Sequence, residues 1–135
     1  MAIINTLHKC LDSPYLFPDE DAPGRVPGLL ALAAERLDAA GRVQRSGQAD
    51  QTDAGLFAYE AMFADLRALV YARGYREAGL RCLLLACEQL YVRADLLDAE
   101  HLRAFERAQS LKLEPAQVVE AAAAFDRKAR ELLTL

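Results

Sequence analysis

From Pro27 onward the apolar residues of this chain recur at intervals of three and four, the spacing that gathers them on one face of an α-helix. Leu30, Ala33, Leu37 and Ala40 make the first such stripe, with Pro27 suited to a first helical turn. The strongest periodicity follows in Leu56, Tyr59, Phe63, Leu66 and Val70, widened by Phe57, Met62 and Leu69. Thr52 or Asp53 is placed to cap that helix and Gly74 to stop it. Leu80, Leu83, Cys87, Leu90 and Ala94 predict a third helix over about 76–94. Asp98 caps a fourth over 99–111, which presents Leu102, Phe105 and Ala108. Pro115 opens a fifth, with Val118, Ala122, Phe125, Ala129 and Leu132 on one face. No segment sustains an alternation of period two, so no strand is predicted. The expectation is an all-α, antiparallel up-down bundle of about five helices, occupying residues 27–135.

Ahead of the bundle, residues 13–28 hold four of the five prolines, a density that breaks regular structure. Residues 1–26 therefore read as an irregular N-terminal arm, with a short helix or an extended stretch over 2–11. Ile3, Ile4, Leu7, Tyr15 and Phe17 are the side chains it could pack, and Asp19, Glu20 and Asp21 form a solvated acidic loop rather than a metal site.

Composition narrows the classes of function. With 135 residues the chain suits one domain, and alanine and leucine dominate its apolar content, which favours helix. A net charge of −4 excludes a general coat for nucleic acid but leaves room for a local basic patch. The three cysteines, Cys10, Cys82 and Cys87, are odd in number and show no framework spacing; Cys82 and Cys87 sit in an apolar run as small hydrophobes. The opening "MAIINTLHKCLDSPYLF" lacks the pattern of a secretory signal, and no apolar run approaches a membrane span of ~18 residues. A soluble protein of the reducing cytoplasm, with no membrane association, is the expectation.

Motifs of common chemistry are missing: no phosphate-binding glycine loop, no GxSxG, no CxxC and no HExxH. Neither His8 nor His101 follows a glutamate by three residues, as a di-iron bundle requires, so no metal, cofactor or catalytic residue is assigned. Glu60, Ala64, Arg67 and Tyr71 align along one line of the second helix. They are either an edge whose charges pair with neighbours or a polar seam facing a partner subunit or ligand. The stretch "RALVYARGYREAGLRC" concentrates Arg67, Arg73, Arg76 and Arg81 around Gly74. These arginines, with Tyr59 and Tyr71 nearby, are the candidate anion contacts; the alternative is a solvated helix junction in which Arg73 and Arg76 face the carbonyl end of the second helix.

The strings "YEAMFADLRALVYARGYREAGLRCLLLACEQLYV", "LLDAEHLRAFERAQSL" and "AAAAFDRKARELL" resemble the HEPN domain family, in its stand-alone bacterial and archaeal subgroup. The similarity runs from about Leu29 to Leu133 and is densest over Tyr59–Val92. The resemblance implies a five-helix bundle, a homodimer, and a partner of the minimal nucleotidyltransferase type. It also implies toxin–antitoxin or defence systems in which several members are metal-independent ribonucleases. In those members an arginine holds the phosphate and a histidine four to six residues on carries the proton. This chain departs from that pattern. Gly79 and Leu80 stand where the histidine after "GYRE" is sought, Ala64 replaces the one after "AMF", and neither His8 nor His101 follows an arginine at the required distance. The resemblance then implies a non-catalytic module binding RNA, a nucleotide or a partner protein through Arg67, Arg73, Arg76 and Arg81, with Tyr59, Tyr71 and Glu60 beside them. The alternatives are a ribonuclease using Tyr71, Tyr75 or Glu77 as proton carrier, and a purely structural helical dimer.

Overall fold

A computed structural model describes residues 3–134; Met1, Ala2 and Leu135, at the ends of the expected arm and bundle, lie outside the described residues. The architecture is an all-α bundle with one small sheet. In chain order come α1 (Leu7–Leu11), β1 (Leu16–Pro18), a 3₁₀ turn (Ala22–Arg25), α2 (Val26–Arg45), α3 (Thr52–Tyr71), β2 (Tyr75–Glu77), α4 (Leu80–Cys87), α5 (Glu100–Gln109) and α6 (Pro115–Leu133). Among the described residues no helix is long and apolar enough to cross a membrane.

The central element is α3, packed mainly against α2 and α6 and also touching α4 and α5. Its predicted single stripe understates its burial. Ala58, Ala61 and Asp65 are inside along with the expected Met62, Leu66, Leu69 and Val70, while Leu56, counted in the stripe, is half exposed. The alanines explain why. Ala33 of α2 meets Ala61 and Ala64 of α3, and small side chains let two helices approach without leaving a void. Opposite them Phe105 and Phe125 fill the space toward α5 and α6, with Tyr59 stacked on Phe105 at 5.0 Å between ring centres.

Three expectations are corrected. The third helix does not start near 76: Tyr75–Glu77 pair antiparallel with Leu16–Pro18, in the register Leu16 to Glu77, Phe17 to Arg76 and Pro18 to Tyr75. The ribbon is extended by Asp19 N donating to Gly74 O and Ala78 N to Tyr15 O. Strands of three residues leave no alternation to detect, and Pro18, which has no N–H, sits at a strand end where none is needed. Gly74 does end the helical path, but by turning the chain at φ +84° into this strand. Beyond Cys87 the helix continues as a π turn over Glu88–Val92 rather than reaching 94.

The arm is not peripheral. Cys10, Leu16 and Ala22 are fully buried in the same core as α3 and α6, whereas Ile3, Tyr15 and Phe17, expected to pack, are substantially exposed. Ile4 and Leu7 do pack on the core. Cys10 of α1 and Cys82 of α4 form a disulfide across Cα atoms 5.6 Å apart, so the absence of a bridge expected from the odd count and spacing is corrected, and the reading as a small unbridged hydrophobe holds for Cys87, which is buried. The inference of a reducing compartment rested on those unpaired thiols and loses that support. Arg81 adds a second tie, donating from Nε to Ile4 O at 2.8 Å.

Candidate functional site

The turn after α3 carries the predicted arginines onto two elements, and the structure sorts them into separate places. Arg67, on the last turns of α3, and Arg76, on β2, meet at an open cleft of about 510 Å³. Tyr71, Glu77, Arg25 and Gly28 line it with them. Arg25 is the N-cap residue of α2 and makes no side-chain capping bond, and with Gly28 and Leu29 it places the first turn of that helix along the wall of the cleft. Gly24 and Gly28 leave the approach to that helix end bare, with no heavy atom within 4 Å of where a Cβ would stand.

Glu77 organises the floor. Its side chain is 7 % exposed; one carboxylate oxygen accepts from Tyr71 Oη at 2.5 Å and the other from Arg67 Nε at 3.1 Å. Arg67 also lies over the Phe63 ring, its guanidinium carbon 4.3 Å from the ring centre, and lines the cleft from there. Arg76 is held more loosely, 3.7 Å from Asp19 on the arm. Arg25 has no carboxylate partner among the described residues. Burial, then the hydrogen bond to Glu77, pushes the Tyr71 hydroxyl up to about 12. It is a neutral hydrogen-bond donor at any ordinary pH.

The other expected site residues lie elsewhere. Arg73 covers the ring of Tyr91 at 4.5 Å, and Tyr91 donates its hydroxyl to Leu69 O, which places Arg73 away from the cleft. Arg81 lies at the edge of α4 with its Nε committed to Ile4. Glu60 pairs with Arg36 of α2 at 2.8 Å, outside the cleft. Tyr59 lines a different cavity, at the opposite end of α3. Neither histidine reaches the cleft: His8 is exposed beside Asp12 on α1, and His101 stacks on Phe125, where burial lowers its pKa. Among the described residues no three His, Cys, Asp or Glu side chains come together in a way that could hold a metal.

Two features escaped the sequence. Arg25 has no periodic signal; only its place between Gly24 and Pro27, at the mouth of a helix, marks it. The second is a buried acid pair. Asp65 of α3 is fully inaccessible, and both its oxygens, together with Asp126 Oδ1 on α6, find no donor among the described residues. Burial, then the hydrogen bond with Asp126, pushes Asp65 up to about 9. A proton on one Asp65 oxygen, donated to Asp126 Oδ1, provides a partner for two of these three oxygens. Arg130 anchors the far side, bonding Asp126 Oδ2 at 2.9 Å and Leu30 O at 2.6 Å. In sequence Asp65 reads as one more surface carboxylate.

Comparison with family models, with curated proteins and with solved structures matches none of them to this chain.

Proposed function

We propose that the protein is a non-catalytic helical binding module that takes a phosphate group of RNA or of a nucleotide into the cleft between α2, α3 and β2. The observation that carries this reading is convergence. Arg67 and Arg76, from consecutive elements, and Arg25, from 42 positions before Arg67, line one open space at the first turn of α2, with Glu77 as its one acid among the described residues. Glu77 is already engaged by Tyr71 and Arg67, so an incoming oxyanion meets guanidinium nitrogens rather than a free carboxylate. Arg73 and Arg81, elsewhere, are left out of the site.

Binding is favoured over the ribonuclease alternative by the chemistry of the cleft. Cleavage needs a group that takes and returns a proton near neutral pH. Tyr71 is too weak an acid for that, and its hydroxyl is committed to Glu77. A homodimer, and a nucleotidyltransferase-like partner within a toxin–antitoxin system, complete the proposal on the strength of the HEPN resemblance alone.

The test is anisotropy of a labelled, unstructured RNA ten-mer against salt. Arg25→Gln with Arg76→Gln should weaken binding at least tenfold and reduce the salt slope by about one for each phosphate that no longer meets a guanidinium. Arg81→Gln should leave both unchanged. Equal affinity in all variants would overturn the assignment, and cleavage abolished by Arg67→Ala would restore the ribonuclease.

A further inference from the structure

The end of α3 remote from the arginines holds a second cavity that the anion site does not use. Its volume is about 320 Å³, at the lower end of small-molecule sites, and it lies between the first turns of α3, the end of α5 and the start of α6. Leu56, Leu113 and Val118 supply apolar walls, and Gly55 makes the floor. A Cβ on Gly55 would stand 3.3 Å from Pro115 Cα, so the missing side chain eases the close approach of α3 and α6 at the bottom of the cavity.

The polar content of this lining is small and specific. None of the ten lining residues carries a charge. Tyr59 makes no side-chain hydrogen bond among the described residues, and its pKa is raised by burial alone, with no partner contributing. The Gln109 amide is likewise unpaired among the described residues. Both can donate and accept. The rim carries a further mark in Leu111, which is 85 % exposed and held at φ +59°, a backbone region costly for a leucine.

We infer that this cavity is a binding site for a small neutral molecule with an apolar ring or short chain and one hydroxyl or carbonyl group, its polar end bonded by Tyr59 and Gln109. With no charged lining residue, a carboxylate or an amine would find no ion-pair partner there, which favours a neutral ligand. The half-buried Tyr59 phenol and the exposed Gln109 amide at the rim set the position of the ligand's polar atom.

The near-isosteric pair p-cresol and p-xylene separates the two parts of the inference. Titration of the full chain, followed by ¹³C-methyl signals of Leu56, Leu113 and Val118, should show saturable shifts with both probes. Tyr59→Phe should weaken p-cresol roughly fivefold, the worth of one net hydrogen bond, and leave p-xylene within about twofold. Leu56→Trp, at a half-exposed helical position where folding is not at stake, should cover the mouth and abolish both. Shifts that fail to saturate or survive Leu56→Trp overturn the site, and equal loss of both probes in Tyr59→Phe overturns its polar anchor. A self-associated protein that dissociates on Leu111→Glu would give this face to a second copy of the chain instead.

Discussion

Tyr71 donates its hydroxyl hydrogen to Glu77 Oε1 at 2.5 Å, joining the last residue of α3 to the end of β2. The bond matters beyond the cleft, because β2 is also the strand that receives the arm. Tyr71→Phe should lower the unfolding free energy by ~1–2 kcal/mol in urea denaturation, since it strips a buried carboxylate of a donor. The pH signature has a definite sign. The folded phenol titrates near 12, above its unfolded value of ~10, so its contribution is complete below pH ~10 and is lost as pH rises toward 12. The gap between wild type and Tyr71→Phe should therefore narrow across that interval.

The Cys10–Cys82 bridge closes a loop of 72 residues and ties α1 to α4. Breaking it should cost ~2–5 kcal/mol, chiefly by freeing the unfolded chain. Thiol counting by mass spectrometry after alkylation gives an independent check. Native protein should label at no cysteine, because Cys87 is buried and its thiol is pushed up to about 12. Unfolded without reductant it should label once, and unfolded with reductant three times. Three labels without reductant would refute the bridge.

The helices were legible in the sequence because leucine and alanine spacing is a local property. α3, α5 and α6 begin within about two residues of where capping and proline signals put them. What was not legible is tertiary. Cys10 and Cys82 find each other only because α1 folds back on α4, and no spacing rule reports a pairing across 72 residues. Phe17 and Arg76 pair in strands too short to carry a period. Four arginines clustered in sequence separated in space, because the turn at Gly74 sends Arg73 back onto Tyr91 and carries Arg76 into the cleft. Arg25 joined them from 42 positions before Arg67, which no local window covers.

Leu111 follows Ser110, the C-cap of α5, and there Lys112 N donates to Arg107 O at 2.8 Å and Leu111 N to Ala108 O at 3.1 Å. That is the Schellman arrangement, in which glycine is the usual residue at positive φ. Leu111→Gly removes a Cβ penalty and gives up almost no buried surface, since the side chain is 85 % exposed. It should stabilise the protein by up to ~1 kcal/mol, read as a raised urea midpoint with an unchanged slope.

Asp65 gives the fold an unusual dependence on pH. Its carboxyl titrates near 9 in the folded protein and near ~4 when unfolded, so between these values the folded state holds a proton that the unfolded state has released. Stability therefore falls as pH rises from ~4 toward 9, by as much as ~1 kcal/mol per unit from this group, the reverse of the usual carboxylate behaviour. Asparagine at this position keeps the shape and offers an N–H to Asp126 Oδ1 in place of the acid proton, while Arg130 continues to hold Asp126 Oδ2. Asp65→Asn should match wild type at pH 5, exceed it by at least ~1 kcal/mol at pH 8, and show a flatter profile between them. Chemical denaturation at several pH values measures this directly. Parallel profiles for the two proteins would mean that the proton is not shared between α3 and α6, whereas a rising difference identifies Asp65 as the group that carries it.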